Sequence, residues 1–260
     1  MLPADIEPYC DFLAPNDDPY MGLPIFHFKQ FSVVQHHAAM KVNTDSVLLG
    51  VWLNATNPHS ILDIGTGTGI IALMMAQRFP DAQIDAVEID HGACLDAEIN
   101  FKSSVWKKQI HLYHADFKEW ALLHQKTDQY DLIVTNPPFF KNSLLAKDAS
   151  RQSARHQTSL DIRDLFMMAT ALLSDVGKIA MVFPFEGLQE ILSIARECSL
   201  HQARTCYVRS RPTSAPHRVL FEFSKRSEKH VEAWHTLKTA QGHRYSQEHL
   251  EMTEAFYLEK

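Results

Sequence analysis

A chain of 260 residues with 45% hydrophobic content is long enough to bury one sizeable core, and none of it approaches the roughly 20 apolar residues that a membrane helix needs. The net charge of −6 excludes a surface coated evenly in nucleic-acid-binding charge. Four cysteines (Cys10, Cys94, Cys198 and Cys206) without CxxC spacing exclude a zinc knuckle or a disulfide framework, and the fifteen histidines form no spaced ligand set, so no metal is expected.

In chain order, the first 20 residues, MLPADIEPYCDFLAPNDDPY, hold five acids, four prolines and no Lys or Arg. They lack the positive charge and apolar run of a signal peptide, so residues 1–24 are expected to be an irregular acidic arm ahead of a single cytoplasmic domain over 25–260. From Ser60 onward, short apolar runs alternate with helical patterns. SILDIG reads as a strand, IIALMMAQRF as a helix, QIDAVEID as a second strand and ACLDAEINFKSS as a second helix. QIHLYHAD, the short helix KEWALLHQ and the strand YDLIVTN follow. After a long polar loop come the amphipathic helix SLDIRDLFMMATALLS, the strand GKIAMVFP and the helix EGLQEILSIAREC. Two late strands, near RTCYVRS and RVLFEFSK, are expected to pair as an antiparallel edge hairpin. The pattern predicts an α/β fold: a doubly wound, mostly parallel sheet with crossover helices.

LDIGTGTGI places Gly65, Gly67 and Gly69 in a turn between the first strand and the first helix, where glycine lets a ligand approach the backbone. Ile70 stands where a dinucleotide fingerprint requires its third glycine, and no GK[ST] follows, so neither a dinucleotide nor a Walker-type phosphate site is indicated. Asp63 precedes the turn, Glu88 closes the second strand and Asp116 lies just past the third. Three carboxylates at strand ends suit a cationic, hydroxyl-rich ligand better than a phosphate. S-adenosylmethionine has that chemistry, and Glu88 is then assigned to its ribose hydroxyls, Asp116 to its adenine amine and Asp63 to its amino acid end.

The strand YDLIVTN runs into Asn136, Pro137, Pro138, Phe139 and Phe140. An exocyclic amine is a weak nucleophile with two hydrogens. The Asn136 side-chain carbonyl and the Pro137 backbone carbonyl are expected to accept one each and so aim the nitrogen lone pair. Proline fixes those backbone carbonyls, and Phe139 offers a face on which an extracted base stacks, with Phe140 walling the pocket. Read alone, the segment is best taken as a rigid turn with two core aromatics; joined to the glycine turn upstream, it favours a site. Basic residues cluster at Lys141, Lys147, Arg151 and Arg155, and residues 196–245 hold ten Lys or Arg against four acids. These are either solvated faces or phosphate contacts.

With FHFKQFSVVQHHAAMKVNTDSVLLG, LDIGTGTGIIALMMAQR, YDLIVTNPPFF, ARHQTSLD, PHRVL and the closing TEAFYL, the sequence resembles the class I (Rossmann-like) methyltransferases that carry a [DN]PP[YF] motif, and among them the bacterial tRNA-valine (adenine-N6)-methyltransferase family. The resemblance covers most of residues 26–258. It implies methyl transfer from S-adenosylmethionine to the adenosine immediately 3′ of a tRNA anticodon. It also implies that Thr44 lies near the amino acid end of the cofactor together with Asn136, and that Arg155 and His156 lie near substrate. Arg218, in PHRVL, is either a substrate contact or a structural ion-pair partner. The motif by itself leaves open a protein glutamine methyltransferase and a guanine-N2 ribosomal RNA methyltransferase. A non-catalytic RNA-binding protein on this fold has no chemical need for Asn136. A monomer is expected.

Overall fold

The computed structural model describes residues 24–124, 129–137 and 160–258. The apolar runs become strands β3 (Ser60–Ile64), β4 (Gln83–Glu88), β5 (Ile110–His114), β6 (Tyr130–Thr135) and β7 (Leu173–Pro184), which lie parallel in the order β7-β6-β3-β4-β5. β3 therefore has β4 on one side and β6, a much later strand, on the other. That reversal of winding direction opens a crevice at the carboxyl ends of β3 and β6. Register fixes the crevice: Ile64 is opposite both Val87 and Thr135, so Glu88 and Asn136 each stand one residue beyond the same level.

Alternation along the strands divides the core. Ile61, Leu132 and Val134 pack against α2 (Ile70–Arg78) and α3 (His91–Ser103). Leu62, Ile64 and Ile133 pack against α4 (Phe117–His124), α5 (Ile162–Leu172) and α6 (Leu188–Glu197). With a side-chain period of two, Asp63 shares the face of Ile61 and so points toward α2, although an aspartate in an apolar strand is unusual. Helix starts are marked chemically, as at Asp90, whose side chain accepts the Ala93 N–H at 2.8 Å, and Asp161, which accepts the Arg163 N–H at 2.7 Å.

Late strands β8 (His201–Arg209) and β9 (Pro216–Ser224) form the expected antiparallel hairpin, with β9 antiparallel to β7. Beyond them lies β10 (Val231–Thr236), parallel to β8 and the outermost strand on that side. VEAWHT lacks a clean apolar alternation because β10 buries only His235 and Thr236, which is why the pattern misses it. β7 also begins at Leu173, four residues ahead of GKIAMVFP, and its first residues pair with β6 through a register shift.

Three elements lie outside the alternating pattern. A short hairpin, β1 (Ile25–His27) and β2 (Ser32–Val34), is followed by α1 (Thr44–Trp52), and α7 (Gln247–Thr253) closes the described chain. Phe28 stacks on Tyr257 with ring centroids 5.8 Å apart, and the Lys29 N–H donates to the Phe256 carbonyl at 2.8 Å. The segments FHFKQF and TEAFYL thus pack on each other. No helix among the described residues is long and apolar enough to cross a membrane.

Candidate active site

The turn after β3 is built from left-handed backbone: φ is +69° at Gly65, +58° at Gly67 and +82° at Gly69. A Cβ on Gly65 or Gly67 would meet nothing within 4 Å, so the space over the turn is open to a ligand. At Gly69, which caps α2, a Cβ would instead sit 2.3 Å from the Phe101 ring, so packing adds to its left-handed backbone in requiring glycine there. The floor of the turn is Asp63, 0% exposed. Its Oδ2 accepts from the Thr66 hydroxyl at 2.6 Å and the Ala72 N–H at 3.1 Å, while Oδ1 is buried with no partner among the described residues. Burial pushes the Asp63 carboxyl up to about 7, against the lowering effect of its two donors and with a smaller upward push from Glu88.

Glu88 ties the turn to β4. Its Oε2 accepts the Gly67 N–H at 2.8 Å, and its Oε1 accepts Ile89 N–H at 2.9 Å and Asp90 N–H at 2.8 Å. Oε1 is filled by its two donors, but Oε2 has a further lone pair, so a rigidly held Glu88 still has acceptor capacity for a hydroxyl of a diol. Asp116 is held differently: its Oδ1 accepts the Lys118 N–H at 2.7 Å at the start of α4. It therefore serves as a helix cap, whatever its other oxygen binds.

Across the crevice, the Thr135 hydroxyl donates to the Ile64 carbonyl at 3.0 Å, fixing the end of β6 beside β3. Asn136 follows, 8% exposed, and its Nδ2 donates to the Ser46 hydroxyl at 2.9 Å. Its Oδ1 is buried without a partner among the described residues. Pro137 is buried next to it. Phe139, Phe140, Arg155 and His156 lie outside the described residues, as does the basic cluster from Lys141 to Arg155.

Sequence reasoning missed the residues that hold the site's roof. Asn100 of α3 donates to the Thr68 carbonyl at 2.8 Å and the Val34 carbonyl at 2.9 Å and accepts the Val34 N–H at 2.7 Å. One turn earlier on the same helix face, Asp96 accepts the His37 and Ala38 N–H groups, both at 2.8 Å. Asp96 and Asn100 are both buried polar residues four apart on a helix, and that spacing was the available signal. Helix α1 is similarly fixed: Asn43 caps it through the Ser46 N–H at 2.9 Å, and Arg78 donates to the Gly50 and Leu53 carbonyls at its far end. Arg218 pairs with Asp45 at 2.7 Å, so PHRVL anchors α1 to β9.

Thr44, the exposed first residue of α1, lines a cleft of about 710 Å³ with Phe26, Lys29, Leu250 and Tyr257. The basic stretch 196–245 is partly structural: Arg204 pairs with buried Glu222 at 2.9 Å and Arg209 donates to the Thr236 hydroxyl at 2.9 Å, alongside the Arg218 pair. No cluster of His, Cys, Asp and Glu able to hold a metal occurs among the described residues.

A glycine turn over a buried aspartate, with a strand-end glutamate and an asparagine-proline pair facing them, is the arrangement of a Rossmann-like methyltransferase, and residues 31–193 match the family model described as the methyltransferase small domain. Solved structures agree on the fold. A predicted O-methyltransferase of Agrobacterium tumefaciens is 16% identical with a TM-score of 0.64, covering 82% of this chain and 96% of that one. A SAM-dependent methyltransferase from the same organism gives 14% and 0.55, covering 82% and 73%. Sequence relatives are much nearer. The tRNA1(Val) (adenine(37)-N6)-methyltransferase of Parabacteroides distasonis is 41% identical over 238 residues, 92% of this chain and 99% of the relative. That of Tolumonas auensis is 40% identical over 239 residues, 92% and 98%. The chain belongs to this family of methyltransferases.

Proposed function

We propose that this protein methylates the exocyclic N6 amine of an adenosine in tRNA, at the position 3′ of the anticodon and with a valine tRNA as substrate, using S-adenosylmethionine. The observation that carries the reading is the pair of buried, unpartnered acceptors, Asp63 Oδ1 beneath an open glycine turn and Asn136 Oδ1 at the end of the neighbouring strand. A buried acceptor without a partner is costly, and the cost is relieved when a ligand donates to it. The cofactor's ammonium suits Asp63, its ribose diol suits Glu88 and its adenine amine suits the second oxygen of Asp116. When bound, the cofactor supplies an electrophilic methyl group carried on a sulfonium.

The residues of the chain then act on the amine. The Asn136 carbonyl and the Pro137 backbone carbonyl accept its two hydrogens, which draws the nitrogen lone pair out of conjugation with the ring and aims it. Phe139 stacks the base and Phe140 walls the pocket, with Arg155 and His156 near the substrate. No strong base is required, because the amine becomes acidic only once alkylated. The domain over 25–260 acts as a cytoplasmic monomer without a metal. The test is transfer of labelled methyl to tRNA followed by nucleoside digestion. N6-methyladenosine is expected; label in methylguanosine or in protein glutamine overturns the reading.

A further inference from the structure

We propose that Ser46 is a positioning residue, whose hydroxyl holds the Asn136 amide by its Nδ2 end and so keeps the Oδ1 acceptor presented to the substrate. The inference rests on the reading of Asn136 as the amine acceptor, but it is independent of which RNA carries that amine.

Helix α1 presents a serine to the interior. Val47, Leu48, Leu49 and Trp52 of the same helix are buried apolar residues, and Ser46 is 5% exposed among them. Burying a hydroxyl costs free energy unless it is used. The use is specific: Ser46 Oγ receives the Asn136 Nδ2–H at 2.9 Å. The serine cannot drift from this position, because its own N–H is held by Asn43 at 2.9 Å and the preceding Asp45 is held by Arg218 at 2.7 Å.

An asparagine amide has two ends of opposite polarity and turns about its last torsion with a low barrier. With Nδ2 on Ser46, the end left over is Oδ1, a pure acceptor, and it is the end without a partner among the described residues. A pure acceptor selects a substrate that brings an N–H. Turned the other way, the amide would present two N–H groups, repel an amine and favour a carbonyl. Ser46 therefore supplies preorganisation of the acceptor end that suits an amine, without touching the substrate.

The test combines a readout on the free protein with one on turnover. In the amide spectrum of the full chain, the Asn136 side-chain pair is identified by its loss in Asn136→Ala. In the wild-type protein one of the two protons is expected downfield of an ordinary asparagine amide and slow to exchange with water, and in Ser46→Ala both are expected at ordinary positions. On tRNA, Ser46→Ala is expected to lower kcat about tenfold or more with KM for S-adenosylmethionine changed less than about twofold. In an Asn136→Ala background the same change is expected to alter kcat less than about twofold, since its target is gone. An Asn136 pair that does not respond to Ser46→Ala overturns the inference, as does an equal kcat loss in both backgrounds. If the wild-type chain gives no N6-methyladenosine while the amide pair responds as expected, the substrate assignment fails and the role of Ser46 in holding the amide stands.

Discussion

Two of the places where this molecule buries polar side chains treat them in opposite ways. Between β10 and α7, His235 and His249 are each 1% exposed and hold one another at 3.1 Å, with Glu248 on the far ring nitrogen of His235 at 3.2 Å. The Thr253 hydroxyl donates to the His249 carbonyl at 2.7 Å. That seam satisfies its polar groups internally. In the crevice, Asp63 and Asn136 are comparably buried, yet each keeps one oxygen without a partner among the described residues. An unmet buried acceptor costs roughly 1–3 kcal/mol, a cost that a donating ligand relieves. The contrast is between a joint closed on itself and a crevice whose two facing acceptors are open to a donor.

The strongest way to break the contrast is at Asn136. Asn136→Ala is expected to lower kcat by about 10²-fold or more, the scale of losing one preorganised transition-state hydrogen bond, while the dissociation constant for S-adenosylmethionine stays within about threefold. Turnover and calorimetric affinity measured on one preparation decide it. If cofactor binding is lost and turnover per bound enzyme is kept, Asn136 belongs to the cofactor and not to the amine.

Next in size is the behaviour of Asp63. Its carboxyl sits at about 7 in the ligand-free protein, and a cationic partner on Oδ1 favours the ionised form. Below that pH, binding must first expel a proton, so affinity falls as pH falls. The dissociation constant for S-adenosylmethionine is expected to be about tenfold weaker at pH 6 than at pH 8, with proton release seen by calorimetry in buffers of different ionisation enthalpy. Asp63→Asn is expected to bind more weakly at pH 8 and to lose the pH dependence. A wild-type profile flat between those two values would mean that Asp63 is structural.

A third, smaller effect concerns the nucleic acid. Because Arg204, Arg209 and Arg218 are engaged within the fold, tRNA binding should depend on salt only through the remaining basic residues. The slope of log K against log salt gives their number, at about 0.7 to 0.9 per phosphate contact. A flat titration would make every basic cluster a solvated face.

How far the sequence disclosed this architecture follows the same physics. The parallel strands and crossover helices were legible because burial on two faces leaves continuous apolar runs, and the site's own Asp63, glycines, Glu88 and Asn136 were legible because each breaks such a run at a strand end. β10 was not legible, since it buries His235 and Thr236 and exposes Trp234. Nor were Asn100, Asp96 and Ser46. Each acts on a partner tens of residues away, 66 for Asn100 with Val34 and 90 for Asn136 with Ser46, and local pattern carries no record of such pairs. Arg218 was readable either as a substrate contact or as an ion-pair partner, and only the fold brings Asp45 to it.

The smallest predicted effect sets the two buried sites against each other directly. Burial lowers the pKa of His235, and it takes His249 from 6.5 down to about 4 with a further push from His235. Between those pH values the unfolded chain binds more protons than the folded one at these positions, so the seam's contribution to stability falls as pH drops below 6.5. Asp63 works the other way. Its pKa is raised from 3.8 to about 7, the folded chain holds the extra proton across that window, and its contribution is present at low pH and lost as pH rises toward 7. In the ligand-free protein the two slopes oppose each other, and the melting temperature should vary little between pH 4.5 and 6.5 on their account. Asp63→Asn removes one slope, so its melting temperature is expected to climb by a few degrees over that range. His249→Leu removes part of the other and should tilt the curve downward. Saturating S-adenosylmethionine, which favours ionised Asp63, should tilt the wild-type curve in the same direction as Asp63→Asn. If the cofactor leaves the shape of the curve unchanged, the unpartnered oxygen in the crevice is not where its charge is received.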